Sequence, residues 1–141
     1  MTATETLTAH ALTDVECIVL LARVRFGRIV FSRYALPAIR PVNHVVDGEA
    51  IVVATGAGLG VPPYRQVVAY EADCLDHDTQ QGWCVIVTGV AEPVTDPFDL
   101  ARYRAALCSR LPGGQDRILR IHPDVITGIE YLDPADQPTR H

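Results

Sequence analysis

The most constraining feature of this sequence is a series of short β-rich runs, mostly joined by tight turns, that begins after Gly27. Asp47-Gly48 separates two of these runs. An Asp-Gly pair in this setting favours a hairpin, because both central residues of a type I′ turn need positive φ. A sheet built from such runs would present long unpaired edges unless it closed on itself. The sequence therefore predicts a small antiparallel β-barrel.

The sequence predicts six or seven strands. They are Arg28–Phe31, Pro37–Val46, Ala50–Thr55, Val67–Ala72, Trp83–Val94, Arg117–Ile121 and Val125–Tyr131. We expect the last two to flank a turn at His122-Pro123-Asp124. Pro37 and Pro41 lack N–H donors, so their strand should be irregular or lie partly at an edge, where it would leave backbone groups for a ligand. The stretch 56–66 is predicted to be a loop because it is rich in glycine and proline.

Two helices are predicted within this series, both from capping signals. Thr13 to Glu16 form a capping box, and apolar spacing predicts a helix over roughly 14–25 with Gly27 just past its end. Asp96 and Pro97 are typical of the cap and first residue of a second helix, which the Pro-Gly-Gly at 112–114 should end. The length of 141 residues predicts a single domain, with 1–12 and 133–141 as frayed tails.

Charge and composition exclude several kinds of partner. The net charge is -5, and the 12 basic side chains are all arginine and do not cluster, which disfavours nucleic acid. The longest apolar run, Cys17–Ala22, is too short to span a bilayer, and Met1–Leu12 does not resemble a signal peptide. The four cysteines form no C-x-x-C pair and are expected to be reduced. The sequence therefore predicts a cytoplasmic protein without a membrane partner.

No motif for side-chain catalysis or metal binding is present. Neither Ser32 nor Ser109 lies in a G-x-S-x-G context, and the five histidines lack metal-ligand spacing. The stretch Thr55–Gly60 could cradle one phosphate with a hydroxyl and successive N–H groups, or its glycines could serve the turn alone. Trp83, the single tryptophan, could pack in the core, against a flat ring system or at a subunit interface.

Five segments together resemble the actinobacterial branch of the pyridoxamine 5'-phosphate oxidase-like, flavin-binding split-barrel proteins. They are Phe26–Phe31, Ile39–Gly48, Val68–Asp73, Gly82–Glu92 and Ile121–Gly128. Their order and spacing cover nearly everything from Thr13 to Tyr131. The resemblance implies a mainly β fold with two or three short helices, a six-stranded antiparallel split β-barrel of the FMN-binding type. It also implies a homodimer that holds FMN, or in some relatives a deazaflavin or haem, between its subunits.

The resemblance further assigns cofactor-binding roles to particular residues. The segment Arg40, Pro41, Val42 and Asn43 would run along the isoalloxazine ring and ribityl chain. Thr55 and the loop that includes Gly58 would hold the phosphate, and Trp83 would lie near the ring or the dimer contact. The lysine that relatives usually carry after the Thr55 position falls near Gly60 here. The phosphate would then depend on N–H groups, Thr55 and Arg65.

These expectations favour a flavin-dependent oxidoreductase that acts on a small redox-active molecule by hydride transfer through bound FMN, with no catalytic side chain. True pyridoxamine phosphate oxidation is not expected, since no basic residues match the pyridoxal phosphate site. One alternative is a split-barrel binding or sensing protein that has lost flavin chemistry, or a deazaflavin-binding relative. Another is a haem protein with His44 or His77 as axial ligand.

Overall fold

A computed structural model describes residues 5–56, 60–62, 64–111 and 117–136. In chain order its elements are β1 Thr8–Ala11, α1 Asp14–Leu21, β2 Phe26–Arg33, β3 Leu36–Asp47, β4 Ala50–Thr55, β5 Gln66–Leu75, β6 Gly82–Pro93, α2 Pro97–Leu107 and β7 Arg117–Leu132. Within these ranges, no helix is long and apolar enough to cross a membrane.

The strands form one antiparallel sheet that closes into a barrel. Their order is β1-β7-β4-β3-β2-β5-β6, and a further pairing of β7 with β6 joins the two sides. Six strands, β2 to β7, therefore complete the barrel, and β1 adds a short extra strand along the end of β7. The predicted class, a mainly β protein with a six-stranded antiparallel split barrel, is confirmed. Closure removes most of the edges that an open sheet of these strands would expose.

The prediction of a frayed tail over 1–12 is wrong for the part that the structure describes as a strand. Thr8 to Ala11 pair with Leu132 to Ile129, and the Leu12 N–H donates to the Gly128 carbonyl at 2.9 Å. Leu12 also packs against the core, so backbone pairing and one apolar anchor hold this segment. At the other end, the Asp136 N–H closes a turn on the Asp133 carbonyl, and 137–141 lie outside the described residues.

The prediction of two closing strands around a turn at His122-Pro123-Asp124 is also wrong. These residues lie inside the 16-residue strand β7. Thr88 pairs with Val125 and Gly89 with Pro123, so Asp124 is an extra residue in the ladder. Such a bulge accepts a proline and bends the strand. A Cβ at Gly89 would lie 1.9 Å from the His122 carbonyl oxygen, so the close approach requires glycine there.

Local signals placed the helices and the first hairpin nearly correctly. The Thr13 capping box is present, but α1 ends at Leu21 and Gly27 belongs to β2. Asp96 caps α2, and Pro97 is its first residue. In the β3–β4 hairpin Asp47 pairs with Ala50, so the two loop residues are Gly48, with φ of 62°, and Glu49. The turn therefore lies one residue later than the predicted Asp-Gly centre.

The outer surface of the barrel has two contrasting parts. On the helix-covered face, α2 packs on the outer side of β3, β4 and β7, and Tyr103 and Leu107 bury Val52, Ala54 and Ile118. The other part, which we call the open face, is formed by outward side chains of β2, β3, β5, β6 and β7. Its members are Val30, Ile39, Val67, Ala69, Ile86, Thr88 and Val125. Ile39, Val30, Ala69, Thr88 and Val125 are successive cross-strand neighbours and form a row across five strands.

Candidate functional site

The edge of β3 that faces the end of β4 is open, as the two prolines predict. β3 pairs with β2 over Leu36–Asn43 but with β4 only over His44–Asp47. Ala54 and Thr55 of β4 pair instead with β7, so β4 diverges from β3 at this point. Among the described strands, residues 36–43 therefore have one neighbour only. On the other side, this segment, which contains Arg40 and Pro41, forms no ladder with a described strand, and the Arg40 side chain donates to the Ile39 carbonyl at 2.8 Å.

The predicted ligand residues of β3 point in different directions. Arg40 and Pro41 are exposed, whereas Val42 is fully buried inside the barrel. Asn43 is also buried: its Oδ1 accepts a hydrogen bond from the Ser109 hydroxyl at 2.7 Å, and its Nδ2 donates to the Arg25 carbonyl at 3.5 Å. The Asn43 side chain thus ties β3 to the segment after α2. From Val42 and Asn43, only the backbone is presented to the open edge.

A pocket of 410 Å³ lies where the β2–β3 hairpin approaches the loop after β4. It is lined by Arg33, Tyr34, Gly60, Val61, Pro62, Tyr64 and Arg117. Thr55 does not line the pocket but lies next to it, since it pairs with Arg117 and its hydroxyl donates to the Arg117 carbonyl at 3.4 Å. Arg117 in turn donates to the Val61 carbonyl at 3.4 Å. These contacts fix the loop against the start of β7, while Gly58 lies outside the described residues.

Arg33 reaches this pocket because of the turn that follows it. Tyr34 and Ala35 both have positive φ, 54° and 62°, which closes a tight hairpin between β2 and β3. The Arg33 guanidinium lies 5.3 Å from the centre of the Tyr34 ring, a cation–π contact. Its Nη1 also lies 2.5 Å from the position that a Cβ on Gly60 would occupy. Gly60, with φ of 77°, therefore allows both the loop conformation and the approach of Arg33.

The pocket is electropositive. Among the described residues, neither Arg33 nor Arg117 has a carboxylate within ion-pair distance. Guanidinium groups are suited to phosphate oxygens, since they present several N–H donors in one plane. The arrangement can therefore hold a phosphate group with two charge-assisted contacts.

The structure places the predicted cation elsewhere. Arg65 is exposed, its Nε lies 4.0 Å from a Glu92 carboxylate oxygen, and it does not line the pocket. Glu92 also accepts a hydrogen bond from His122 at 2.8 Å, which lowers the pKa of this carboxyl.

The sequence did not predict Arg33 or Arg117 as pocket residues. Arg33 reaches the pocket only because the β2–β3 hairpin approaches the loop that contains Gly60. Arg117 reaches it because the register between β4 and β7 places Arg117 opposite Thr55. The alternation of buried and exposed residues in β2 was the signal available for Arg33, because it extends this strand to the turn at Tyr34.

Trp83 lies far from this pocket within one chain. It is half-buried against the core, and its cross-strand partners are Cys74 and Glu130. Thr55 pairs with Arg117, and Arg117 and Glu130 lie near opposite ends of the 16-residue strand β7. One chain therefore does not bring Trp83 and the phosphate-binding candidates together. A site that contains both would need a second copy of the chain.

His44 is not available as a haem ligand. It is 1% exposed inside the barrel, where its Nε2 donates to the Leu21 carbonyl at 2.8 Å and its Nδ1 lies 2.5 Å from the Tyr70 hydroxyl. Burial lowers the pKa of His44 and raises that of Tyr70, so the tyrosine hydroxyl donates to a neutral imidazole. His44 therefore links α1 to the barrel wall. His77, the other predicted axial ligand, is exposed in the turn between β5 and β6.

Comparisons with known proteins agree with this architecture. The chain is 44% identical over 135 residues to an uncharacterised protein of Mycobacterium tuberculosis, covering 87% of this chain and 86% of that protein. The structure is similar to that of an FAD-binding protein from Mycobacterium smegmatis, with a TM-score of 0.67, 31% identity, and coverage of 87% of this chain and 98% of that one. An FAD-binding protein from Mesorhizobium loti shares the fold at 16% identity, with a TM-score of 0.71 and coverage of 89% and 98%.

The family model described as pyridoxamine 5'-phosphate oxidase matches residues 13–130, from the N-cap of α1 to within two residues of the end of β7. The match contains the closed barrel, the open edge of β3 and both arginines of the pocket. The chain therefore belongs to the pyridoxamine 5'-phosphate oxidase family.

Proposed function

We propose that this protein binds a flavin nucleotide and acts as a flavin-dependent oxidoreductase on a small redox-active molecule. The observation that carries the proposal is the pair Arg33 and Arg117, two guanidinium groups in one pocket without a carboxylate partner among the described residues. The Mycobacterium smegmatis protein, 31% identical to this chain, is an FAD-binding protein. This relative supports a flavin as the ligand.

The flavin would be held by two adjoining parts of the chain. Arg33 and Arg117 would bind the phosphate of FMN, taking the role that the sequence assigned to Arg65. The unpaired edge of β3 would run along the ring and ribityl chain with its backbone groups and with Arg40. Pro41 has no N–H donor, so it adds no competing polar hydrogen at this edge. Thr55 and Asn43 would hold the strands around the flavin in place, because their side chains already form hydrogen bonds within the chain.

The bound flavin would supply hydride transfer through its N5 atom, and no described side chain needs to act as a nucleophile. The chain would bind the phosphate, fix the orientation of the ring and limit the access of water. A flat ring lying on an exposed strand edge is covered on one side only. Exclusion of water from the other side therefore requires a second surface.

We propose that a second copy of this chain supplies that surface. The row across the open face is apolar except for Thr88. The buried residues of α1, Cys17 and Leu21, belong to the interior of the barrel, and α2 packs on the outer side of β3, β4 and β7 against other residues. Exposed apolar patches of this kind favour association. In a homodimer, Trp83 of one subunit could approach the pocket of the other, which one chain cannot achieve.

The visible absorption spectrum of the purified protein tests this proposal. We expect two flavin bands that survive dialysis, or that appear after FMN or FAD is added. Arg33→Gln and Arg117→Gln should each weaken flavin binding roughly tenfold to a hundredfold, the usual cost of a lost charge-assisted hydrogen bond. Arg65→Gln, outside the pocket, is the matched control and should leave affinity unchanged.

Two outcomes would count against the proposal. A colourless protein whose melting temperature does not respond to FMN or FAD would exclude flavin binding. A bound flavin that dithionite reduces but that neither NADH nor NADPH reduces would favour the alternative, a binding or sensing protein without flavin chemistry. Deazaflavin binding would show as a blue-shifted absorption band after the deazaflavin is added.

A further inference from the structure

The pocket at Arg33 is larger than a single phosphate requires. Its volume is 410 Å³, whereas a water molecule occupies about 30 Å³ of liquid and a phosphate is only several times larger. Pockets of this volume lie within the range, roughly 300–1,000 Å³, that holds whole small molecules. The phosphate of FMN would therefore leave most of the space beside Arg33 and Arg117 unfilled.

Two aromatic rings line the same pocket. Tyr34 and Tyr64 are 86% and 61% exposed, and they belong to separate segments, the β2–β3 turn and the chain before β5. The ring of Tyr34 is held at the tip of a tight turn and contacts the Arg33 guanidinium. Exposed aromatic rings beside guanidinium groups are suited to a nucleobase, since every base has a flat face that can stack.

Two guanidinium groups that border one pocket are also compatible with a diphosphate. The Arg33 guanidinium lies against Gly60, in the loop, while Arg117 is tied to Val61 from the β7 side. The two cations thus belong to different elements and border the same space. Two linked phosphates could meet one guanidinium each, with the aromatic rings beyond them.

We propose that this pocket holds the adenosine diphosphate half of FAD, with Arg33 and Arg117 on the diphosphate and Tyr34 and Tyr64 against the adenine. The inference rests on the proposed flavin function and extends it, because it selects the dinucleotide over FMN. The flavin half would remain at the edge of β3, and the adenosine half would lie at the β2–β3 turn.

Calorimetric titration of the flavin-free protein with ADP, FMN and FAD tests the inference. We expect ADP to bind alone and to compete with FAD, and FAD to bind at least tenfold more tightly than FMN. Tyr34→Ala should weaken FAD and ADP tenfold or more and leave FMN unchanged. Tyr34→Phe keeps the ring and is the matched control, expected to behave as the wild type. Tyr34 is exposed, so neither variant should impair folding.

The possible failures are distinguishable. Equal affinity for FMN and FAD with no ADP binding would overturn the adenosine site and leave the proposed function intact. No binding of either flavin would overturn both. If Tyr34→Ala changed the molecular mass in solution and weakened FMN as much as FAD, the turn would be a subunit contact and the adenosine site would be wrong.

Discussion

The helix-covered face and the open face belong to the same barrel, but only the first is covered by another element of the chain, the helix α2. Under α2, Tyr103 is 2% exposed, and its hydroxyl lies 2.5 Å from Asp47 and 2.9 Å from Arg120. Arg120 also pairs with Asp99 at 3.3 Å. On the open face, apolar side chains such as Ile39 and Val125 remain more than half exposed.

The difference bears on the proposed homodimer. Polar groups under α2 meet other groups of the same chain, so this face is stable in a monomer. The open face has apolar side chains at its centre and a polar cluster, Arg28 with Glu71 and Asp73, towards the end near Trp83. An apolar centre with a polar margin is the usual composition of a subunit interface. The two faces should therefore respond differently to the same kind of substitution.

The largest expected effect is the loss of the proposed dimer when a charge is placed at the centre of the open face. Ala69 is the middle residue of the row, between Val30 and Thr88, and its side chain points outward. We expect Ala69→Glu to give a monomer, because two unpaired carboxylates would be buried at a symmetric contact. The measurement is molecular mass by light scattering or sedimentation, with circular dichroism to confirm folding.

Phe98→Glu is the matched control for this change. Phe98 lies on α2 and is 76% exposed, so Phe98→Glu places the same charge at an apolar surface residue on the helix-covered face. Its mass should equal that of the wild type. A wild-type protein that is already monomeric at high concentration, or an Ala69→Glu variant that remains dimeric, would show that the open face is not the interface.

The next effect concerns the helix-covered face and should be about 1–3 kcal/mol in the free energy of unfolding. Tyr103→Phe removes a buried hydroxyl that donates to Asp47 and accepts from Arg120. Loss of one partner from a buried hydrogen-bonded group has this typical cost. Urea denaturation measures it, and Tyr34→Phe, at an exposed tyrosine, should change stability little. Unchanged stability of Tyr103→Phe would mean that packing alone holds α2.

An intermediate effect, on the pH dependence of stability, arises from His44 in the barrel interior. Burial lowers the pKa of His44 below its ordinary value of about 6.5, so below that pH the unfolded chain takes up a proton that the folded chain does not. Stability should therefore be constant above about pH 7 and fall as the pH drops, by at most about 1.4 kcal/mol per pH unit. Urea denaturation between pH 5 and 8 measures the slope. His44→Gln should remove it, and a slope that persists would assign it to other groups.

Much of this architecture could be predicted because it depends on residues close together in sequence. The Thr13 capping box, the Asp96-Pro97 start of α2 and the hairpin at Gly48 are local signals, and the structure contains all three. The fold class followed from the succession of such elements. The bulge at Asp124 could not be predicted, since it arises from the register of β7 against Gly89 in a different strand.

The candidate site was predicted less completely for the same reason. The open edge of β3 followed from Pro37 and Pro41, whose effect on pairing is local. The cations of the pocket did not follow, because Arg33 and Arg117 come from strands that only the closed barrel brings to one loop. The sequence predicted Arg65 because it is near Thr55 along the chain. In the structure Arg65 lies against Glu92.

The smallest expected effect compares two exposed arginines, one on each face. Arg28 pairs with Glu71 and Asp73, and Arg102 pairs with Asp47 and Asp99; the two side chains are 54% and 47% exposed. Ion pairs at such exposed positions contribute little in a monomer, so Arg28→Gln and Arg102→Gln should have small and nearly equal effects in the Ala69→Glu background. In the proposed wild-type dimer, Arg28→Gln should be more destabilising, because Glu71, whose pKa burial already raises, would lose its cation at the interface. Thermal unfolding at two protein concentrations measures both variants. Equal effects in the dimer would place the polar cluster outside the interface and confine the contact to the apolar row.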